Sequence, residues 1–114
     1  MNHGDQRYSF FVIEDSRGDY VLIEEYLNEQ FSRPSVTHAM TFQEAKDIFE
    51  TDPISRFDCI LLDLSLPDRS GKELIDDVLQ LSEGLPVVVL TGYTNLSFSV
   101  QFLEQGISDY LLKD

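Results

Sequence analysis

Short apolar runs alternate along the chain with segments whose apolar residues recur at helical spacing. Ser9–Ile13 is a compact β-favouring run that ends in the acidic pair Glu14 and Asp15. From Asp19, the positions Leu22, Ile23, Tyr26, Leu27 and Phe31 follow a helical period. Arg33-Pro34 stops that helix, because proline lacks an amide hydrogen and disfavours helix in the residue before it. Val36–Ala39 is a weak second strand. Thr41 to Glu44 has capping-box spacing, with Ala45, Ile48 and Phe49 on one face of the helix that follows. Cys59–Leu62 is continuously apolar, as a central parallel strand covered on both faces requires. After the loop Leu64–Ser70, a helix bears Leu74, Ile75, Val78 and Leu79 and ends at Gly84-Leu85-Pro86. Val87–Leu90 is another buried strand, closing at Thr91-Gly92. Leu96, Val100 and Leu103 mark a fourth helix stopped by Gly106, and Tyr110–Leu112 forms a fifth strand.

Five strands alternating with four helices predict an α/β fold. Right-handed crossovers build a doubly wound, flavodoxin-like parallel sheet of five strands in the order 2-1-3-4-5. Residues 1–8 form a polar N-terminal tail and residues 9–114 a single domain.

Charge excludes some partners. Lys and Arg total 8 against 21 Asp and Glu, a net charge of -13, which repels nucleic acid phosphates and anionic lipid. Neither direct nucleic-acid binding nor membrane attachment is expected. No apolar run approaches the ~20 residues that cross a bilayer, and the tail lacks the features of a signal peptide. A cytoplasmic location is the expectation. The single cysteine, Cys59, rules out an internal disulfide and a cysteine-rich metal site, and its apolar strand suits inert packing.

In the predicted topology the strand C-terminal ends share one rim, where ligands of such sheets bind. Glu14 and Asp15 follow the first strand, Asp63 the third, Thr91 ends the fourth and Lys113 follows the fifth. Three converging carboxylates repel one another, and losing water costs them more. They must hold extra protons or surround a hard cation. Mg²⁺ suits them, with Mn²⁺ as the alternative, because it takes oxygen ligands while keeping several waters and a phosphate oxygen. A carboxylate such as Asp63 can attack a phosphoryl group to give an acyl phosphate, with the cation offsetting charge. The Thr91 hydroxyl can hydrogen-bond a phosphoryl oxygen, and Lys113 can pair with Asp63 and then with the phosphate. Pro67 stiffens the loop after Asp63, and Gly71 permits a tight turn into the next helix. Taken singly, each has an ordinary explanation: solvated acids at loop starts, a strand-compatible threonine, a solvated terminal lysine, turn punctuation. The combination at matching strand ends is what points to chemistry.

The pattern Ile13-Glu14-Asp15, then Leu62-Asp63 with Pro67 and Gly71, then Leu90-Thr91-Gly92, then Asp109 to Lys113, resembles the receiver domain of two-component response regulators. The likeness runs from about Phe10 to the last residue. It implies that Asp63 is the phosphoacceptor, that Asp15 binds Mg²⁺ directly and Glu14 through metal-bound water, and that the Ser65 main-chain carbonyl is another ligand. It places Thr91 and Lys113 on the phosphoryl oxygens and makes Tyr110 the switch aromatic, whose rotamer follows the Thr91 hydroxyl. The implied donor is a sensor histidine kinase or a histidine phosphotransfer protein, and the implied recipient an output domain or a homodimer mate. The role is that of a signalling phosphoacceptor rather than an enzyme. Tyr93, two residues beyond Thr91, is expected to shield the phosphoryl group from water.

Two departures from that family alter the expectations. Asp114 follows Lys113 where the family usually has proline; a non-proline cis bond costs about 2.5–4 kcal/mol, so this bond is expected to be trans. The chain also stops where the family's fifth helix would begin, which predicts an apolar patch over the fourth and fifth strands. A fragment of a longer protein, or one completed by a partner or dimer mate, is the expectation. Two rivals stand beside the phosphoacceptor. An aspartate-nucleophile phosphatase of the haloacid dehalogenase type wants a second Asp two residues after the first, where Ser65 stands. A pseudo-receiver would only bind partners. His38 at a strand end and His3 in the tail have no partner that spacing identifies, and neither is expected to be a phosphodonor.

Overall fold

The computed structural model describes residues 7–52, 56–64, 66–91, 101 and 103–112, with the backbone alone described for Thr91 and Leu112. Strands β1 (Ser9–Ile13), β2 (Ser35–Ala39), β3 (Cys59–Asp63), β4 (Val87–Thr91) and β5 (Asp109–Leu112) form one sheet in the order β2-β1-β3-β4-β5. Every neighbouring pair is parallel, so the expected doubly wound topology is the one observed. Three helices accompany it: α1 (Arg17–Gln30), α2 (Phe42–Thr51) and α3 (Gly71–Ser82). Residues 101 and 103–105 are also helical and end at Gly106, whose φ is +121°. The rest of the expected fourth helix lies outside the described residues.

The two-residue period of the central strands divides the core into two. Phe11 and Ile13 of β1, Ile60 and Leu62 of β3 and Val89 of β4 face α2 and α3, where they meet Ala45, Leu74, Ile75 and Val78. Phe10, Val12, Leu61 and Leu90 point the other way and meet Leu27 of α1. Continuous apolar runs are therefore needed in β1 and β3, since both of their faces are covered.

Local signals set the helix ends. Ser16 caps α1 by accepting the Asp19 N–H at 3.3 Å, so the helix begins at Arg17, ahead of the expected Asp19. Its apolar stripe is only partly used: Leu27 is buried, whereas Leu22 is 63% and Tyr26 53% exposed. At α2, Thr41 Oγ1 accepts the Glu44 N–H at 3.0 Å, as a capping box requires. Glu44 reaches back one residue further than that motif prescribes, to the Met40 N–H at 2.9 Å. Gly71 opens α3 with φ +65°, and nothing lies within 4 Å of where its Cβ would stand. Backbone conformation, not space, selects glycine there. The other end of α3 comes earlier than Gly84: the helix stops at Ser82, and Glu83 takes the left-handed conformation at φ 50°. No helix among the described residues is long and apolar enough to cross a membrane.

Candidate metal centre

The parallel register brings the acidic residues together. Ile13 pairs with Leu62, so the next residues along the chain, Glu14 and Asp63, stand at the same level of the rim. The Glu14 N–H continues the ladder to the Ala39 carbonyl at 2.9 Å, and Leu64 N–H reaches the Leu90 carbonyl at 3.4 Å. Glu14 is fully buried, Asp63 is 5% exposed and Asp15 is half-buried. One carboxylate oxygen from each lies within 4.8 Å of the other two. The Ser16 N–H, at the cap of α1, donates to Glu14 Oε2 at 3.3 Å.

Electrostatics gives that convergence a meaning. With an effective dielectric of about 20, two full negative charges 4.8 Å apart repel by about 3–4 kcal/mol. A divalent cation among them adds an attraction to each carboxylate that outweighs the repulsions between them. The donors fit a hard ion: all are carboxylate oxygens, and the half-buried Asp15 leaves a side for water and a substrate oxygen. Oxygens on one Mg²⁺ are at most about 4.2 Å apart. Donors that all lie within 4.8 Å of one another match the size of one such site. The chain has an acidic pocket of the kind that holds a divalent metal.

The remaining candidates are distributed as follows. Asp63 pairs in register with Leu90, which puts the Thr91 backbone one step further on the neighbouring strand, at the same rim. Its side chain, together with Ser65, Tyr93, Lys113 and the Lys113–Asp114 bond, lies outside the described residues. Tyr110 pairs with Val89, two residues below the level of Thr91, and packs half-buried against the α2/α3 side of the core. Cys59 is no nucleophile at neutral pH: burial, aided by the Asp58 charge, pushes its thiol up to about 11.

Two polar side chains for which spacing identified no partner, Asp68 and His38, hold this rim in place. Leu64 and Leu66 anchor the loop after Asp63 by burial, and the Gly71 N–H closes it onto the Leu64 carbonyl at 3.0 Å. Asp68, on that loop, then accepts the Phe42 and Gln43 N–H groups at 2.9 and 3.0 Å, so it caps the first turn of α2 from a distance in sequence. Desolvation, the largest single influence, raises the Asp68 carboxyl. Its backbone hydrogen bonds from Phe42, Gln43 and Asp68, with the Arg69 charge, outweigh that and hold it below the usual aspartate range. Arg69 pairs with Asp77 of α3 and lies 5.6 Å from the Phe42 ring centre. The second is His38, whose Nε2 lies 2.7 Å from the Glu14 carbonyl oxygen and whose ring stacks on Tyr20 with centres 3.8 Å apart. Burial, the hydrogen bond to Glu24 and the Glu24 charge raise the Tyr20 phenol, which keeps it a donor. Both residues act across more than twenty positions of sequence, where no local spacing could have announced them.

Comparison with known proteins gives one consistent match. The family model described as response regulator receiver domain fits residues 10–114. Response regulator Rcp1 of Synechocystis is 32% identical over 110 residues, covering 90% of this chain and 74% of its own. The crystal structure of the phosphorylated cyanobacterial phytochrome response regulator RcpA superposes with a TM-score of 0.80 at 27% identity, over 96% of this chain and 82% of that one. A response regulator structure from Burkholderia pseudomallei, which contains a phosphorylated aspartic acid, a calcium ion and citrate, gives 0.75 at 28% identity, over 93% and 59%. Other curated relatives are much longer, the chain spanning 16%, 24% and 26% of three of them.

Proposed function

The chain belongs to the response regulator receiver domain family, and from that premise we propose that Asp63 accepts a phosphoryl group in a Mg²⁺-dependent transfer from a phosphohistidine. One observation supports this above all: one carboxylate oxygen from each of Glu14, Asp15 and Asp63, from two strand ends, lies within 4.8 Å of the other two, with Glu14 and Asp63 buried.

Asp15 and Asp63 would hold the ion directly, Glu14 through bound water, and the Ser65 carbonyl would add a ligand, with Mn²⁺ as an alternative ion. When bound, the cation neutralises charge on the incoming phosphoryl oxygens. An Asp63 oxygen forms the new P–O bond as the P–N bond of the phosphohistidine breaks. The leaving imidazole keeps that electron pair and takes up a proton. The product is an acyl phosphate. Thr91 and Lys113 are assigned to its oxygens, Tyr93 to shielding it from water, and Tyr110 to relaying the change at Thr91. Transfer is stoichiometric, so the chain is a signalling acceptor rather than an enzyme. The donor is a sensor histidine kinase or a histidine phosphotransfer protein. The recipient is an output domain or a second copy of the chain, and the setting is cytoplasmic.

Incubation with acetyl phosphate and Mg²⁺, followed by intact-protein mass spectrometry, tests this. One phosphoryl group per chain is expected, labile to hydroxylamine as an acyl phosphate is, and abolished by chelation or by Asp63→Asn. Failure of the unmodified chain to take up phosphate overturns the proposal in favour of a binding-only receiver. Repeated turnover of phosphate esters overturns it in favour of the haloacid dehalogenase type of phosphatase.

A further inference from the structure

Beyond the end of β1, the acidic pair needs something to fix its backbone, because the ladder is running out. The Glu14 N–H still finds the Ala39 carbonyl of β2 at 2.9 Å. In a parallel ladder the Glu14 carbonyl would next receive the amide of Thr41. The chain turns there instead, with Thr41 serving as the N-cap of α2. The His38 ring fills that role: its Nε2 is 2.7 Å from the Glu14 oxygen. A carbonyl oxygen can only accept, so Nε2 carries a hydrogen and donates it.

The ring is itself held. Tyr20 of α1 lies flat on it, with centres 3.8 Å apart and planes 4° from parallel. The Tyr20 hydroxyl donates to Glu24 Oε2 at 3.1 Å, one turn along the same helix. The cap of α1 returns to the starting residue, since the Ser16 N–H donates to Glu14 Oε2 at 3.3 Å. Glu14 is thus gripped at its amide and carbonyl by β2 and at its carboxylate by α1. With the peptide planes before Glu14, between Glu14 and Asp15, and after Asp15 each held by a hydrogen bond, the two soft dihedrals of both residues are set, and with them the directions in which their side chains leave the backbone.

We infer that His38, seated on Tyr20, is a positioning residue for the cation site: its Nε2–H fixes the Glu14–Asp15 peptide so that both carboxylates face Asp63 before an ion arrives. This rests on the acidic cluster being a cation site, as proposed above. His38 touches neither ion nor phosphoryl group. Groups that orient metal ligands at one remove commonly change affinity by 10–100-fold, and about 10-fold is expected here.

Isothermal titration with Mg²⁺ alone, at one pH and on the full chain, tests the assignment with four variants. His38→Leu removes the donor and is expected to weaken Mg²⁺ binding about 10-fold. His38→Gln, which offers an amide N–H at similar reach, is expected to restore most of it. Tyr20→Leu, losing the stacked ring, should weaken binding more than Tyr20→Phe, which keeps the ring and loses only the hydrogen bond to Glu24. Thermal unfolding without metal supplies the structural control, and the two His38 variants should unfold alike. Equal Mg²⁺ affinity in His38→Leu and the unmodified chain overturns this inference alone. So does a loss that tracks unfolding temperature with no rescue by glutamine. Absence of Mg²⁺ binding by the unmodified chain overturns the cation site and this inference with it.

Discussion

On the face of the sheet under α2 and α3, fifteen apolar side chains among the described residues are buried in one cluster; on the face under α1 there are five. The first face closes over itself, with Leu74, Ile75 and Val78 fully out of solvent. The second leaves a groove of about 740 Å³ whose walls include Leu22, Tyr26, Phe31, Val88, Leu90 and Leu111. Leu22 is 63% exposed and Leu111 46%. The two faces share the same strands and the same apolar character, so the difference lies in what packs on them. Apolar area stabilises only when it leaves water, at about 25 cal/mol per Å². Among the described residues, most of the apolar burial that stabilises the fold therefore sits on the α2/α3 face, which also positions the loop after Asp63. Helix α1 itself contributes the buried Leu27 and the cap that meets Glu14.

Substitutions can break this contrast or sharpen it. Ile75→Ala, at a fully buried position of α3, is expected to cost about 2–5 kcal/mol in chemical denaturation; a loss below about 1 kcal/mol would show that the face is not tightly packed. Asp68→Ala removes the bridge from the Asp63 loop to α2 and should cost about 1 kcal/mol, the usual worth of a helix cap. Its pH dependence has a definite sign. The folded Asp68 carboxyl lies below its unfolded value, so its contribution is complete above the unfolded range, about pH 4, and fades as pH falls through the folded value. The stability gap between the unmodified chain and Asp68→Asn should accordingly shrink in acid, and a gap that widens would contradict the assignment. Leu22→Ser, on the open face, should change stability by no more than about 0.5 kcal/mol. A large loss there would mean that the groove is closed in solution.

The same contrast separates what could be read from the sequence from what could not. The runs Phe10–Ile13, Cys59–Leu62 and Val87–Leu90 announced a parallel sheet because strands buried on both faces cannot alternate in polarity. The order of that sheet then placed Glu14, Asp15 and Asp63 on one rim, where the register does bring them. Helical spacing worked less well for α1. It groups Leu22 and Tyr26 with Leu27, yet periodicity reports which side of a helix can be buried, not whether anything covers it. Ser16, three residues ahead of Asp19, was a cap signal that the apolar pattern overshadowed. Asp68 and His38 were beyond reach for another reason. Their partners are backbone groups of Phe42, Gln43 and Glu14, and a backbone acceptor or donor leaves no mark in the sequence.

Carboxylates from the ends of β1 and β3 are proposed to share one ion, and paramagnetic broadening by Mn²⁺ reads that directly. Titrated at substoichiometric amounts into isotopically labelled chain, Mn²⁺ should broaden amide signals of residues 14–16 and 63–64 together and first, with Mg²⁺ restoring them by competition. Broadening that starts elsewhere on this acidic surface, or that spares one of the two strand ends, would contradict the shared site.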